Sequence, residues 1–305
     1  MASLVTSTAS SVASVEVEGL TYSIRVGGQG VPLALVHGFT GSALDWDRVV
    51  PQLNRFCRTI RIDLPGHGET EIPSDPNRFT LPSIARDIKH LLHAVGVSAG
   101  GRQRAFVAGY SLGGRVAMHV ALAAPDLLHG LILESASPGI ADPQARAARR
   151  REDLALAQWI EEHGTAAFVA RWERLPLFAS QRHLPPEVRE RQRADRLRRS
   201  AAALAGSLRG ASVGAQAPLL NRLWALNLPS LLIAGSLDEK YCEIAREMHG
   251  GWPHAALSIV PGAGHNVHLE APDAYVDQVQ RFITATLNEH PLGEDPTKET
   301  KEWRT

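Results

Sequence analysis

Apolar residues fall along this chain in short unbroken runs, each closed by a small-residue or polar loop. "PLALVHGF" (32–39), "AFVAGYS" (105–111), "GLILESASPG" (130–139), "SLLIAGSLDEK" (230–240) and "ALSIVPGAGHN" (256–266) share this form. Runs of this length, bounded by Gly or Pro, predict strands buried on both faces of a parallel sheet. "TIRIDLPGHGE" (59–69) is a further strand leaving through a Pro-Gly turn. "VEVEGLTYSIRVGG" (15–28) alternates polar and apolar, which predicts an antiparallel hairpin at the sheet edge. Between the runs, "LPSIARDIKHLLHAVGV" (81–97) has helical spacing, and "GGRVAMHVALAAP" (113–125) is Ala-rich and stopped by proline. Strand and helix alternate, so the expected class is α/β, a mostly parallel sheet with helices on both faces.

Residues 141–215 break the rhythm. "DPQARAARRREDLALAQWIEEHG", "AAFVARWERL" and "PPEVRERQRADRLRRSAAALAGSL" predict three or more helices with no strand among them. The expected organisation is a core of residues 14–140 and 216–287, a helical cap inserted at 141–215, and disordered tails at 1–13 and 288–305. Composition changes the picture in one place. The whole chain has formal net charge zero, which gives no footprint for nucleic acid or an anionic membrane. Residues 140–210, however, hold fourteen Arg, no Lys and nine Asp plus Glu, a net of 14 − 9 = +5. Most such charge runs are solvated faces. An all-Arg choice still matters, because guanidinium grips carboxylates in a two-pronged fork and ammonium does not.

The two cysteines, Cys57 and Cys242, lack metal-ligand spacing and suit a reducing compartment as buried thiols. "MASLVTSTASSVASV" lacks the cationic and apolar regions of a secretory signal, and no run reaches the ~18 apolar residues of a membrane span. A cytoplasmic protein is expected. No metal or organic cofactor is implied, and the oligomeric state is left open.

The candidate chemistry sits in the loops after the strands, where ligands bind in sheets of this kind. "GYSLG" fits G-x-S-x-G, with Ser111 between a strand and a helix, the context of a nucleophile elbow. A serine hydroxyl is a poor nucleophile or base until a neighbour takes its proton. "SLDEK" offers Asp238 after the next-to-last strand, and "GAGHNVH" offers His265 after the last. Asp238 would orient the imidazole and His265 would relay the proton. His268, three residues on, is read as a packing or surface histidine. "HGFTGSALDW" would bring the Phe39 N–H to a developing oxyanion, with the Leu112 N–H as second donor. "DLPGHGET" is read as a structural loop. Arg115 follows Ser111 by one helical turn on the same face.

With these residues in place, residues 14–287 resemble the α/β-hydrolase superfamily. Within it the chain resembles the 2-succinyl-6-hydroxy-2,4-cyclohexadiene-1-carboxylate synthases of menaquinone biosynthesis, through "HGFTGS", "GYSLGGRVAM", "LILESASPGI", "ARWERLPLFASQ", "RADRLR" and "GSLDEKY". The resemblance implies a lyase that eliminates pyruvate from a cyclohexene tricarboxylate, with Ser111 as a base in place of a nucleophile. It also implies that Arg149 and Arg196 join Arg115 in a carboxylate clamp, that Tyr110 and Trp172 line the pocket, and that Lys240 assists. Arg150 and Arg151 adjoin Arg149 and could take its place. A small polycarboxylate is the expected partner. Two other readings compete. A serine hydrolase of esters or carbon–carbon bonds would use the same triad and show an acyl burst. A binding module that had lost its chemistry would show a broken triad, and all three members are present here.

Overall fold

The computed structural model describes residues 11–99 and 103–289. Eight strands form one sheet: β1 (Ser11–Val17), β2 (Leu20–Gly28), β3 (Val31–Val36), β4 (Cys57–Ile62), β5 (Ala105–Tyr110), β6 (Leu128–Glu134), β7 (Ser230–Gly235) and β8 (Ala255–Val260). Their spatial order is β1-β2-β4-β3-β5-β6-β7-β8. The first two strands form an antiparallel hairpin, and β2 pairs antiparallel with β4. Every pair from β4 to β8 is parallel. The hairpin turns on Glu18 and Gly19, both at positive φ (48° and 75°), the geometry that matches strand twist in a two-residue loop.

The helices are α1 (Val50–Leu53), α2 (Leu81–Ala94), α3 (Leu112–Ala123), α4 (Pro143–Trp172), α5 (Pro186–Leu197), α6 (Ala201–Ala211), α7 (Leu220–Trp224), α8 (Glu239–Gly250), α9 (Val267–Glu270) and α10 (Pro272–Glu289). Side chains alternate across each strand, and both faces of the sheet are covered. Ala34 and Val36 of β3 and Val107 of β5 pack under α2, α3, α7 and α8. Leu33, Leu35, Phe106 and Ala108 pack under α1, α9 and α10 on the other face. Two-sided burial is why these strands read as continuous apolar runs.

Helices α4, α5 and α6 lie between β6 and β7 with no strand among them. Helix α4 is broken at Gly164 (φ 78°). Both halves of α4 share a small core with α6, made by Ile160, Phe168, Val169, Leu204 and Leu208, against which Phe39 also packs. The cap thus rests on the loop after β3.

Two boundaries differ from expectation. Strand β1 begins at Ser11, inside the segment assigned to the N-terminal tail, and its first four side chains are all exposed. The ladder from Ser11↔Val26 to Val17↔Leu20 holds it in place, and an edge strand held by backbone bonds needs no apolar alternation. At the other end α10 continues to Glu289. The remaining tail residues, 1–10 and 290–305, lie outside the described residues. Among the described residues no helix is long and apolar enough to cross a membrane.

Candidate active site

The site begins at the junction of β5 and α3. Ser111 has φ 52° and ψ −107°, a conformation that costs a non-glycine residue roughly 1–3 kcal/mol and persists only where its surroundings fix it. Those surroundings are visible. The Ser111 N–H donates to Glu134 O at 2.9 Å, and Ser111 O accepts from the Arg115 N–H at 3.1 Å. A Cβ at Gly109 would lie 2.2 Å from Gly113 O, and one at Gly113 would lie 2.0 Å from Val36 O. Only glycine at both positions lets α3 start this close to the sheet.

His265 Nε2 lies 3.2 Å from Ser111 Oγ, and its Nδ1 lies 2.6 Å from Asp238 Oδ2. Asp238 divides its carboxylate between two tasks, since Oδ1 accepts the Tyr241 N–H at 3.3 Å and caps α8. With Nδ1–H committed to Asp238, the Nε2 lone pair faces the hydroxyl. His265 and Asp238 are buried, and Ser111 is half-buried. Rings wall the imidazole: Tyr241 at 4.6 Å, Tyr110 at 5.4 Å and Phe178 at 6.1 Å between centroids. Burial raises the Tyr110 and Tyr241 hydroxyls above the usual phenol range, and Arg115 and Arg149 oppose the shift at Tyr241.

The Phe39 and Leu112 N–H groups have no acceptor among the described residues. His37, at the start of the same loop, explains how the first is aimed. His37 Nε2 accepts the Leu64 N–H at 3.0 Å, so its Nδ1–H donates to Gly38 O at 2.8 Å. Gly41 N–H donates to the same carbonyl at 3.1 Å. Gly38 O and Phe39 N–H belong to one planar trans peptide and point in opposite directions. Locking the carbonyl therefore locks the donor.

The next residue, Thr40, sits at φ 73°, and the loop is gripped again two residues on. Ser42 Oγ donates to Asp195 Oδ2 at 2.8 Å. Asp195, at the end of α5, pairs with Arg199 at 2.5 Å, and Arg199 Nη1 reaches Gly68 O at 3.4 Å. The cap therefore holds the loop after β3 directly, a link that sequence reading missed. The "DLPGHGET" loop braces its neighbour: Asp63 accepts the Ala43 N–H at 2.6 Å and the Glu69 N–H at 3.1 Å.

Burial carries a pH consequence. It pushes His37 down to about 4 and His67 to about 3, from a usual imidazole value of 6.5. Below pH 6.5 the unfolded chain binds protons at these sites that the folded state refuses. Their stabilisation is complete above pH 6.5 and is lost as pH falls toward 4. Asp45, raised by burial to about 6, acts oppositely, as do Asp63 and Asp87, whose carboxyls burial also raises. His119, lowered to about 4, acts with the two histidines, and the three imidazole shifts outweigh the carboxyl ones. Urea denaturation should give a lower midpoint at pH 5 than at pH 7.5. An equal or higher midpoint at pH 5 would contradict this assignment.

The cationic residues are placed as follows. Arg115 is buried, donates to Ala211 O at 2.7 Å and approaches Gln216 Oε1 at 3.4 Å. Burial lowers it to about 10, so it stays charged at neutral pH. Arg149 bonds Asp153 at 2.9 Å, and its charge is felt at both Arg115 and Tyr241. Arg196 pairs with Glu173 at 3.3 Å, with its guanidinium carbon 5.8 Å from the Phe178 ring centroid. The charges of Arg115 and Arg149 thus reach Tyr241, and Arg196 lies over Phe178, two of the rings around His265. Two of the expected clamp residues are not free cations, because Asp153 and Glu173 already hold them.

Trp172 packs on Phe39 at 5.4 Å and Phe178 at 5.5 Å. Lys240 is exposed, with its ammonium 6.0 Å from the Tyr241 ring centroid. Arg150 is spent on the Arg209 carbonyl, and Arg151 is exposed. His268 is fully buried, not a surface residue. Its Nδ1 lies 2.7 Å from Glu134 Oε2, its N–H donates to Glu134 Oε1 at 3.0 Å, and its ring stacks on Trp46 at 4.1 Å. Among the described residues no group of three or more His, Cys, Asp or Glu could hold a metal ion.

Comparison with known proteins gives the family. The family model for the alpha/beta hydrolase fold matches residues 31–272. A Bacillus subtilis (strain 168) protein, provisionally named a 2-succinyl-6-hydroxy-2,4-cyclohexadiene-1-carboxylate synthase, is 37% identical, covering 88% of this chain and 96% of its own. The synthase of that name from Salmonella agona (strain SL483) is 34% identical over 84% of this chain and 96% of its own. The structure of MenH from S. aureus superposes with TM-score 0.82 at 30% identity, covering 87% of this chain and 99% of that one. The chain belongs to the α/β-hydrolase fold family and, within it, to the family of the 2-succinyl-6-hydroxy-2,4-cyclohexadiene-1-carboxylate synthases.

Proposed function

We propose that this protein is a lyase of menaquinone biosynthesis. It eliminates pyruvate from 2-succinyl-5-enolpyruvyl-6-hydroxy-3-cyclohexene-1-carboxylate to give 2-succinyl-6-hydroxy-2,4-cyclohexadiene-1-carboxylate. The observation that carries this reading is Arg115, a buried cation one turn behind Ser111. An enzyme for neutral esters has no use for a desolvated guanidinium there, whereas a tricarboxylate does.

The ring C–H beside the succinyl ketone is the acidic one. His265 Nε2 takes the Ser111 proton, and Ser111 Oγ takes the ring proton. The electron pair moves toward the ketone oxygen, where the Phe39 and Leu112 N–H groups meet the negative charge. As that charge returns, the double bonds shift into the 2,4-diene and the C5–O bond breaks. The proton held by His265 leaves with the enolpyruvyl group, which becomes pyruvate. Water is neither consumed nor added. Asp238 stabilises the imidazolium between the two transfers.

Arg115, Arg149 and Arg196 supply three cations for three substrate carboxylates. Asp153 and Glu173 hold two of the forks without substrate, and substrate carboxylates take their places. Tyr110 and Trp172 form apolar walls, and Lys240 adds positive potential at the rim. In a pyruvate-release assay, Arg115→Ala should lower kcat/KM by about 10- to 100-fold, chiefly through KM, the worth of a ~1.5–3 kcal/mol charge-assisted bond. Arg115→Lys should fall between. Wild-type kcat/KM in Arg115→Ala would remove the clamp. A p-nitrophenyl acetate burst with no pyruvate release would make the protein a serine hydrolase.

A further inference from the structure

A cleft of about 830 Å³ opens further along α3, beyond Arg115, between the start of α2 and the chain returning from the cap. Its volume falls in the range of small-molecule sites. Leu81, Leu122 and Leu219 supply an apolar wall, and Arg150, Arg209 and Arg222 the cations. No residue lining it is acidic. Arg209 is neutralised by Glu161, at 2.5 and 2.6 Å. Arg222 is exposed and has no partner among the described residues. Arg150 spends one N–H on a carbonyl and meets no carboxylate.

Two buried polar atoms of the lining lack partners, His119 Nε2 and Gln216 Nε2. Gln216 is only 4% exposed, and a buried amide N–H without an acceptor costs about 1–3 kcal/mol. Its orientation is fixed. Arg115 can only donate, so Gln216 Oε1 must face it, leaving the NH₂ group as the orphan. Burial, reinforced by Arg222 and Arg115, lowers His119 to about 4. At neutral pH it is an uncharged imidazole able to donate from Nε2.

We propose that this cleft is a second binding site, for a small organic anion with a carboxylate-like head on a flat apolar body. The head meets Arg222, His119 and the Gln216 amide, and the body lies on the leucine wall. Gln216 touches both this site and Arg115, so occupancy alters the substrate's affinity at Arg115; this last part rests on the proposed function.

Isothermal titration of the full chain with three probes separates the terms: biphenyl-4-carboxylate, its neutral carboxamide, and inorganic phosphate. We expect saturable one-to-one binding of the carboxylate only, weakened at least 10-fold in Arg222→Ala. Arg222 is exposed, so this variant should fold and release pyruvate normally without the probe. Equal binding of the carboxamide, phosphate binding as tight as the carboxylate, or unchanged affinity in Arg222→Ala would each overturn the site. Saturating carboxylate should shift the substrate KM in the wild type and not in Arg222→Ala; an unshifted KM would overturn the route through Gln216. The titration needs no turnover, so its failure and that of the lyase reading are separate results.

Discussion

Ser111→Ala should lower the rate of pyruvate release by about 10²–10⁴-fold, the range for losing a positioned proton-transfer group. The fold should be unaffected. The backbone bonds that set the elbow, Ser111 N–H to Glu134 O and Arg115 N–H to Ser111 O, do not use the hydroxyl. Alanine meets the same steric conditions as serine at φ 52°. The proposed Arg115 clamp and the Phe39 and Leu112 N–H groups do not depend on the hydroxyl, so KM should change little while kcat collapses. Steady-state kinetics with circular dichroism checks both halves. A Ser111→Ala enzyme within a factor of a few of wild type would take the hydroxyl out of the chemistry.

The second large effect concerns stability. Glu134 and His268 are both fully buried, and Glu134 accepts from the His268 N–H and pairs with its Nδ1. Glu134→Ala removes both acceptors and leaves a cavity beneath the elbow. Breaking a buried pair by removing one partner costs about 3–5 kcal/mol. Urea denaturation should show that loss with an unchanged slope. Glu134→Gln, which keeps an acceptor oxygen, should lose less. Activity should fall as well, because His268 anchors the segment that carries His265. A loss below ~1 kcal/mol in Glu134→Ala would show that the pair does not hold the site together.

Much of this was legible in the sequence, and the reasons are physical. Strands β3, β5, β6 and β7 lie under helices on both faces, so nearly every position had to be apolar. The elbow announced itself because its backbone admits only glycine at Gly109 and Gly113. The chain order of Ser111, Asp238 and His265 follows from the strands that carry them. What stayed hidden depends on contacts across long separations. Nothing local in "GLILES" marks Glu134 as the partner of His268, and "HG" gives no sign that His37 aims the Phe39 N–H. The cap arginines share one local signature. Arg198 is exposed while its neighbour Arg199 is buried against Asp195, a distinction set by how the chain turns as it leaves the end of α5. Strand β1 was missed at its start because an edge strand with solvent on its side chains carries no apolar period.

In the proposed mechanism the Ser111 oxygen takes a proton and never bonds to substrate carbon. Intact-protein mass spectrometry on enzyme quenched during steady-state turnover of 2-succinyl-5-enolpyruvyl-6-hydroxy-3-cyclohexene-1-carboxylate, with pyruvate measured in the same samples, reads this directly. The protein should be unmodified at every time point, with pyruvate and diene released in equal amounts. An ester adduct on Ser111 that rises and decays with turnover would contradict this mechanism.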